Sequence, residues 1–177
     1  PLSGPALTAA AHFVRQTAAQ RDNKAPAIAI ETVPGPVGER LMRIAVIGDD
    51  MPFIVDSLAA VIAAGGLAID RLLHPVIPVE RNAHGLLAAL PRGAGAARES
   101  FVYIETTRAD ARSRVRLRAA LEAALADVRA AVSDWTDLRD ALAGDADGLG
   151  TGANDTKEGA ALLRWLHPEL GEVPPAE

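Results

Sequence analysis

Arg40-Leu-Met-Arg-Ile-Ala-Val-Ile-Gly-Asp-Asp-Met-Pro-Phe-Ile-Val-Asp-Ser-Leu-Ala-Ala-Val-Ile-Ala-Ala-Gly-Gly66 is the stretch on which the reading of the whole chain depends. Leu41 to Ile47 is an apolar run interrupted only by Arg43, the pattern of a strand buried on at least one face. Gly48-Asp49-Asp50 ends it. Asp50 suits the N-cap of a following helix, because its carboxylate can accept from the exposed N–H groups of the first turn. Pro52 falls where a missing N–H does no harm. The spacing predicts a helix from about Met51, with Ile54, Val55, Leu58, Val61 and Ile62 as its apolar stripe and Gly65-Gly66 at its end. Strand, acidic turn and helix make half of an α/β sandwich.

At 177 residues the chain is long enough to bury a core without covalent staples. It has no cysteine, which excludes a disulfide framework, a thiolate nucleophile and a cysteine-ligated metal, and which fits a cytoplasmic protein. The net charge of −5, with no lysine- or arginine-rich run, gives no electrostatic footprint for nucleic acid. The longest apolar segments are strand-length or broken by charge, so neither a membrane span nor a secretory leader is expected. The first residue is Pro1, not Met, and the segment is expected to be excised from a longer chain.

Outward from the central stretch, Pro5 to Gln20 has Leu7, Ala11, Val14 and Ala18 at helical spacing, with Ser3 near the cap. Ala27 to Val33 reads as a strand, and Pro34-Gly-Pro-Val-Gly38 as a turn. Leu67 to Val79 is expected as one long strand whose Pro75 and Pro78 place it at an edge or a bulge. Leu86 to Leu90 can return as a weaker strand, and Pro91 to Ala97 reads as a loop. Glu99 to Thr106 is apolar on both faces and belongs near the middle of a sheet. Arg114 to Ala126 is a second helix, with Leu117, Leu121 and Leu125 on its apolar side. Residues 127 to 133 are open to two readings. Alanine content favours continued helix, whereas Val128, Ala130 and Val132 alternate as a strand would. Trp135 to Leu142 is expected as a short helix, Ala143 to Thr156 as a flexible linker, and Glu158 to Leu166 as a last helix presenting Leu163, Trp165 and Leu166 for docking.

The run from Arg43 to Val79, with Gly48-Asp-Asp-Met-Pro-Phe-Ile-Val-Asp-Ser57 and Gly65-Gly-Leu-Ala-Ile-Asp-Arg-Leu-Leu-His-Pro-Val-Ile-Pro-Val79, resembles the amino-terminal ACT-like region of the large bacterial NAD-specific glutamate dehydrogenases. Arg98-Glu-Ser-Phe-Val-Tyr-Ile-Glu105, Ala126-Asp-Val-Arg-Ala-Ala-Val-Ser-Asp-Trp135 and Ala160-Ala-Leu-Leu-Arg-Trp-Leu166 agree in the same order. The resemblance, together with the element order, implies an α+β, ferredoxin-like (ACT-type) βαββαβ two-layer sandwich, with residues 127–133 as its last strand. Residues 1–39 would be an added helix and strand, 40–135 the ACT-like domain, and 136–177 a helix, linker and the start of a following region. It further implies a non-catalytic regulatory or assembly domain of a parent that converts L-glutamate and NAD to 2-oxoglutarate, ammonia and NADH in a separate domain. ACT domains pair through sheets or helices and bind small amino-acid effectors in the seam. A homo-oligomer, contacts with other domains of the parent and an amino-acid effector are therefore the expected partners.

The candidate effector site is Asp49, Asp50, Met51, Pro52, Phe53 and Ile54. A helix N-terminus offers free N–H donors to a carboxylate, and a loop aspartate could take an ammonium group. Capping of the helix alone also explains aspartates here. In effector-binding ACT domains a glycine often follows the proline; Phe53 stands in that place. His74 and Asp70, four apart, would share a strand face and could form a relay, so a small enzyme using Asp50 and His74 is the alternative from another class. No P-loop and no G-x-G-x-x-G pattern is present. Catalytic residues, metal ligands and a cofactor are thus expected to be absent from this segment, with NAD bound elsewhere in the parent.

Overall fold

The computed structural model describes residues 4–22, 25–35, 38–91, 96–150 and 154–169. Ser3, parts of the turn at 34–38 and of the loop at 91–97, the side chain of Leu166 and the tail from 170 onward lie outside the described residues. The elements are α1 (Gly4–Ala18), β1 (Ala27–Pro34), β2 (Arg40–Asp49), α2 (Ile54–Ala64), β3 (Ile69–Leu73), β4 (Val76–Arg81), β5 (Leu87–Ala89), β6 (Ala97–Thr107), α3 (Ala111–Gly150) and α4 (Asn154–Glu169).

All the strand pairs are antiparallel, and β6 is the hub of the sheet. It pairs with β2 along one side and with β3 and then β4 along the other, while β1 closes one edge and β5 the other. A strand paired on both sides and covered on both faces must be apolar throughout, which is why Phe101, Val102, Tyr103 and Ile104 are all buried. Met42, Ile44 and Val46 of β2 and Val102 and Ile104 of β6 point to one face. There they meet Ile54, Leu58 and Ile62 of α2 and Leu117, Leu121 and Leu125 of α3. Each such side chain, fully buried, contributes about 1.5–3 kcal/mol of transfer free energy. On the opposite face Ala10 and Phe13 of α1 pack on Ala45 and Tyr103, and Ala18 on Ile47, Val79 and Phe101. The sheet face opposite α2 and α3 is therefore partly covered by the chain's own first helix.

The ferredoxin-like arrangement of an antiparallel sheet with two helices on one face is present, with one correction to its chain order. Residues 127–133 are not the last strand; they are helical, within α3. The place beside β2 is already filled by β1, whose eight residues pair in register from Ala27↔Ile47 to Pro34↔Arg40. Residues 27–34, expected on the periphery, thus supply the strand that 127–133 had been assigned. The alternation of Val128 and Val132 has an equally good helical meaning, since residues four apart share one helix face. Alanine propensity then carries the helix on.

The short helix at 135–142 and the linker at 143–150 and 154–156 are corrected in the same way, residues 151–153 lying outside the described residues. α3 runs unbroken to Gly150, about 60 Å at 1.5 Å per residue, and α4 folds back along its distal half. Ala146 and Ala160 are buried between them, and the Arg164 guanidinium donates to the Ala146 carbonyl at 3.2 Å. Small residues that spacing alone assigns to a linker serve here as the close-packing face of a helical hairpin. Leu163 is half-buried and Trp165 is exposed. α3 begins three residues earlier than expected because Asp110 caps it: the Ser113 N–H donates to Asp110 Oδ1 at 2.8 Å, and this bond holds the Asp110 carboxyl below its ordinary pKa.

Leu67 to Val79 is two strands, broken at His74-Pro75. Proline cannot donate to a ladder, so the break falls at Pro75. Pro78 sits where β5 does not reach, because β5 pairs only with Glu80 and Arg81.

Candidate functional site

The turn Asp49 to Ile54 connects the end of β2 to α2, on the face that holds the main core. Its two aspartates have different surroundings. Asp49 Oδ1 accepts from Arg21 Nη2 at 2.5 Å, and Asp49 Oδ2 from Arg129 Nη2 at 2.8 Å. It therefore joins the loop after α1, the end of β2 and the middle of α3. Asp50 does not cap α2. The helix starts at Ile54, not Met51, and the cap position is Phe53, with no side-chain hydrogen bond there. Asp50 lies three residues before that cap, its Oδ1 buried and without a hydrogen-bond partner.

Phe53 takes φ 65° and ψ 2°, close to the third position of a type II turn, and Pro52 precedes it where proline is favoured. This third position normally selects glycine, because a side chain costs about 1–2 kcal/mol in the left-handed region. The ring does not offset that cost by burial, being 57% exposed. Replacing Phe53 with glycine is expected to raise the stability of the chain by about 0.5–1 kcal/mol, read as a higher urea midpoint with unchanged slope. A lower midpoint would mean that the ring holds the turn through contacts.

His74 and Asp70 do not share a face. A bulge between Ile69 and Arg71 breaks the alternation of β3, and Asp70 turns with Arg71 toward the α1 side. His74 Nε2 lies 2.6 Å from Ser100 Oγ, two residues along β6 from Val102 of the main core. Ser100 is 1% exposed, so its hydroxyl is a satisfied core group out of reach of a substrate. Among the described residues no cluster of His, Asp and Glu is placed to hold a metal ion.

A second feature was not foreseen. Between the first half of α1 and the far end of the sheet lies a cleft of about 950 Å³. Arg43, Arg71, Tyr103 and Glu105 form its floor and Ala6 and Ala9 its helix wall. Arg43 pairs with Glu31 and stacks its guanidinium 4.7 Å from the Phe13 ring centroid. Arg71 Nη1 donates to Glu105 Oε2 at 3.0 Å, and the Tyr103 hydroxyl donates to Glu105 Oε1 at 2.8 Å. Burial, then the hydrogen bond to Glu105 and its charge, push the Tyr103 phenol up to about 12. In the sequence Arg43 is the one break in the β2 apolar run, and Tyr103 and Glu105 are two apart on β6, but nothing there joins them to one another.

Tyr103 is the chain's only tyrosine, so its ionisation can be followed directly by ultraviolet absorbance. The midpoint is expected near 12 in the folded chain. Because the folded phenol holds its proton more tightly than the unfolded one, this contribution is complete below pH 10 and is lost as pH rises toward 12. It amounts to a loss on the order of 2 kcal/mol. A midpoint at 10 would contradict the Tyr103–Glu105 geometry.

At the other end of the same face, Glu99 binds Arg81 with both oxygens, at 2.7 and 2.8 Å, and Arg21 Nε lies 3.6 Å from Glu99 Oε1. Arg81 Nη1 also donates to the carbonyls of Ala18 at 2.9 Å and Gly85 at 2.8 Å, fastening the last residue of α1 to the β4–β5 hairpin.

The family described as the glutamate dehydrogenase ACT1 domain matches residues 3–121, from α1 through the sheet into the first part of α3. No curated relative matches the chain. Among the described residues no helix is long and apolar enough to cross a membrane.

Proposed function

Because this chain belongs to the glutamate dehydrogenase ACT1 domain family, we propose that it is a non-catalytic regulatory and assembly domain of a cytoplasmic NAD-dependent glutamate dehydrogenase. The parent oxidises L-glutamate with NAD to 2-oxoglutarate and ammonia in another domain. The observation that carries this reading is the family match across the whole sheet and both of its helix layers. The β2–α2 turn does not fit a dinucleotide. Asp49 and Asp50 stand where a pyrophosphate would need N–H donors, and Phe53 rather than glycine opens the helix. Allosteric control by an amino acid seated near Asp49, Asp50, Met51, Pro52, Phe53 and Ile54 is the regulatory half of the proposal. Asp49 is already shared between Arg21 and Arg129, so an effector there would use Asp50 and the backbone N–H groups of the first helical turn.

The assembly half is supported by the edge strand β1 and by Leu138, Leu162 and Trp165, which stand more than half exposed on the hairpin of α3 and α4. These surfaces suit a second copy or the neighbouring domains of the parent.

The test is a thermal-shift screen of the chain against the common amino acids and 2-oxo acids, with light scattering on the same samples. A ligand at a hundredfold excess over its dissociation constant stabilises the folded state by about 2.7 kcal/mol, which such a screen resolves. A shift lost on Asp50→Asn places the effector at the turn. No shift with any compound, in a sample that is oligomeric, removes the sensing half and leaves assembly. Glutamate-dependent NADH formation by the chain alone would overturn the proposal.

A further inference from the structure

We propose that the outer face of α4 docks in the groove between α2 and the start of α3 of a second copy, and that the exchange is reciprocal, so that two copies close on each other. This rests on the assembly half of the function above and names the two surfaces that meet.

The groove has a volume of about 420 Å³ and lies between the last turn of α2 and the first turns of α3. Val61, Ala64, Leu67, Leu117 and Ala120 make it apolar, and Arg116 lines it with them. Arg112, one turn before Arg116, shares its face of α3 and is exposed. On α4, Ala160 is fully buried against α3, whereas Leu162 and Trp165 are 60% and 63% exposed on the outer side. Glu158, also exposed, stands four and seven positions before them, so an acid and two large apolar groups form one helical stripe. Such a stripe suits an apolar groove with arginines beside it.

Charge selects the occupant. From Arg108 to Arg118 five arginines stand against the single Asp110. Their acceptors within the chain are mainly neutral: Arg114 donates to Thr32 Oγ1 and Arg118 to the Ile28 carbonyl, each at 2.6 Å, and Arg116 to Ser113 Oγ at 3.0 Å. From Asp134 to Glu169 eight acidic residues stand against three basic ones. Hairpin therefore repels hairpin, and each hairpin is attracted to the start of α3. A chain's own groove is out of reach of its own α4. Ala160 packs beside Ala146, and Leu117 lies 29 positions before Ala146 on the unbroken α3, about 44 Å at 1.5 Å per residue. With two α3 helices antiparallel about a two-fold axis, that length carries each hairpin to the other's groove. Two identical contacts then close the pair, where a single repeated contact would give an open chain.

The experiment measures the mass of the whole chain by sedimentation and light scattering across protein concentration, in low salt and in about 1 M salt. A two-copy mass is expected in low salt, with a dissociation constant that rises tenfold or more in high salt. Trp165→Ser, and Arg112→Glu combined with Arg116→Glu, are each expected to raise it roughly tenfold or more. Mixing these two variants is expected to restore association, because one keeps an intact groove and the other an intact α4. The chain has no cysteine, so Ala120→Cys combined with Leu162→Cys gives a second test that leaves every charge and Trp165 in place. Oxidation is expected to join position 120 of one copy to position 162 of the other. A two-copy mass that both charge and tryptophan variants keep, or a disulfide joining like positions, would overturn this docking and leave the assembly reading standing. Loss of association in both variants without recovery on mixing would overturn the exchange between these two surfaces. A chain that stays single at every concentration in low salt would overturn both the docking and the assembly of copies.

Discussion

Replacing Glu99 with glutamine is expected to destabilise the chain by about 3–5 kcal/mol, the range for breaking one partner of a buried ion pair. Glu99, Arg81 and Arg21 have side chains only 6%, 9% and 5% exposed. Glutamine keeps the size of the side chain and removes the charge. Arg81 would keep one amide oxygen and two backbone carbonyls as acceptors but would be a buried cation with no counter-charge, and Arg21 would rely on Asp49 alone. Arg21 has little to spare, because its Nε and Nη1 already lack hydrogen-bond partners. The companion variant combining Arg81→Met with Glu99→Leu is expected to recover much of the loss, since an apolar pair of similar volume has no charge to desolvate. Urea denaturation of both variants decides the matter. A glutamine variant within 1 kcal/mol of the parent would mean that water reaches these groups.

Gly85→Ala is the other large effect expected, at about 3 kcal/mol or more, from two separate causes. Gly85 has φ +73°, where a side chain costs about 1–2 kcal/mol. A Cβ built there would also lie 2.1 Å from the Arg21 carbonyl oxygen, which is backbone and cannot swing away. The turn would have to move, and it holds three hydrogen bonds at once: Arg21 N–H to the Gly85 carbonyl at 3.0 Å, Leu87 N–H to the Ala19 carbonyl at 3.0 Å, and Arg81 Nη1 to the Gly85 carbonyl. Each is worth about 0.5–1.5 kcal/mol. Because these bonds fasten the end of α1 to the β4–β5 hairpin, hydrogen exchange should show α1 losing protection while β2 and β6 keep theirs. Uniform loss across the sheet would show that α1 is not a separable layer.

What the sequence made legible follows from where periodicity has a single meaning. The apolar runs in Leu41 to Ile47 and Glu99 to Thr106 and the stripe from Ile54 to Ile62 each admit one reading, and those elements are present. At 127–133 the same residues satisfy a strand and a helix. Only the pairing partner decides, and β1 already occupies that position beside β2. Asp50 looked like a cap because aspartate before a proline and an apolar run has that meaning locally. The turn instead inserts Met51, Pro52 and Phe53 before the helix, and Phe53 adopts a conformation that local rules would reserve for glycine. The cleft was illegible for a different reason. Arg43, Arg71, Tyr103 and Glu105 lie on three strands separated by up to 62 positions, and only the register of β2, β6 and β3 brings them together. The ion pair of Glu99 and Arg81 was hidden in the same manner.

The ACT1 assignment and the proposed function together predict communication between this domain and dehydrogenation elsewhere in the parent. The most direct measurement is the rate of glutamate-dependent NADH formation by a glutamate dehydrogenase chain carrying this domain, across a titration of the amino acid that gives the largest thermal shift, with Asp50 intact and as Asp50→Asn. The account predicts that the amino acid changes the rate of the unaltered enzyme and that Asp50→Asn moves the response to roughly tenfold higher concentration or beyond. An enzyme whose rate ignores every amino acid, or one whose response is the same with and without Asp50, would contradict it.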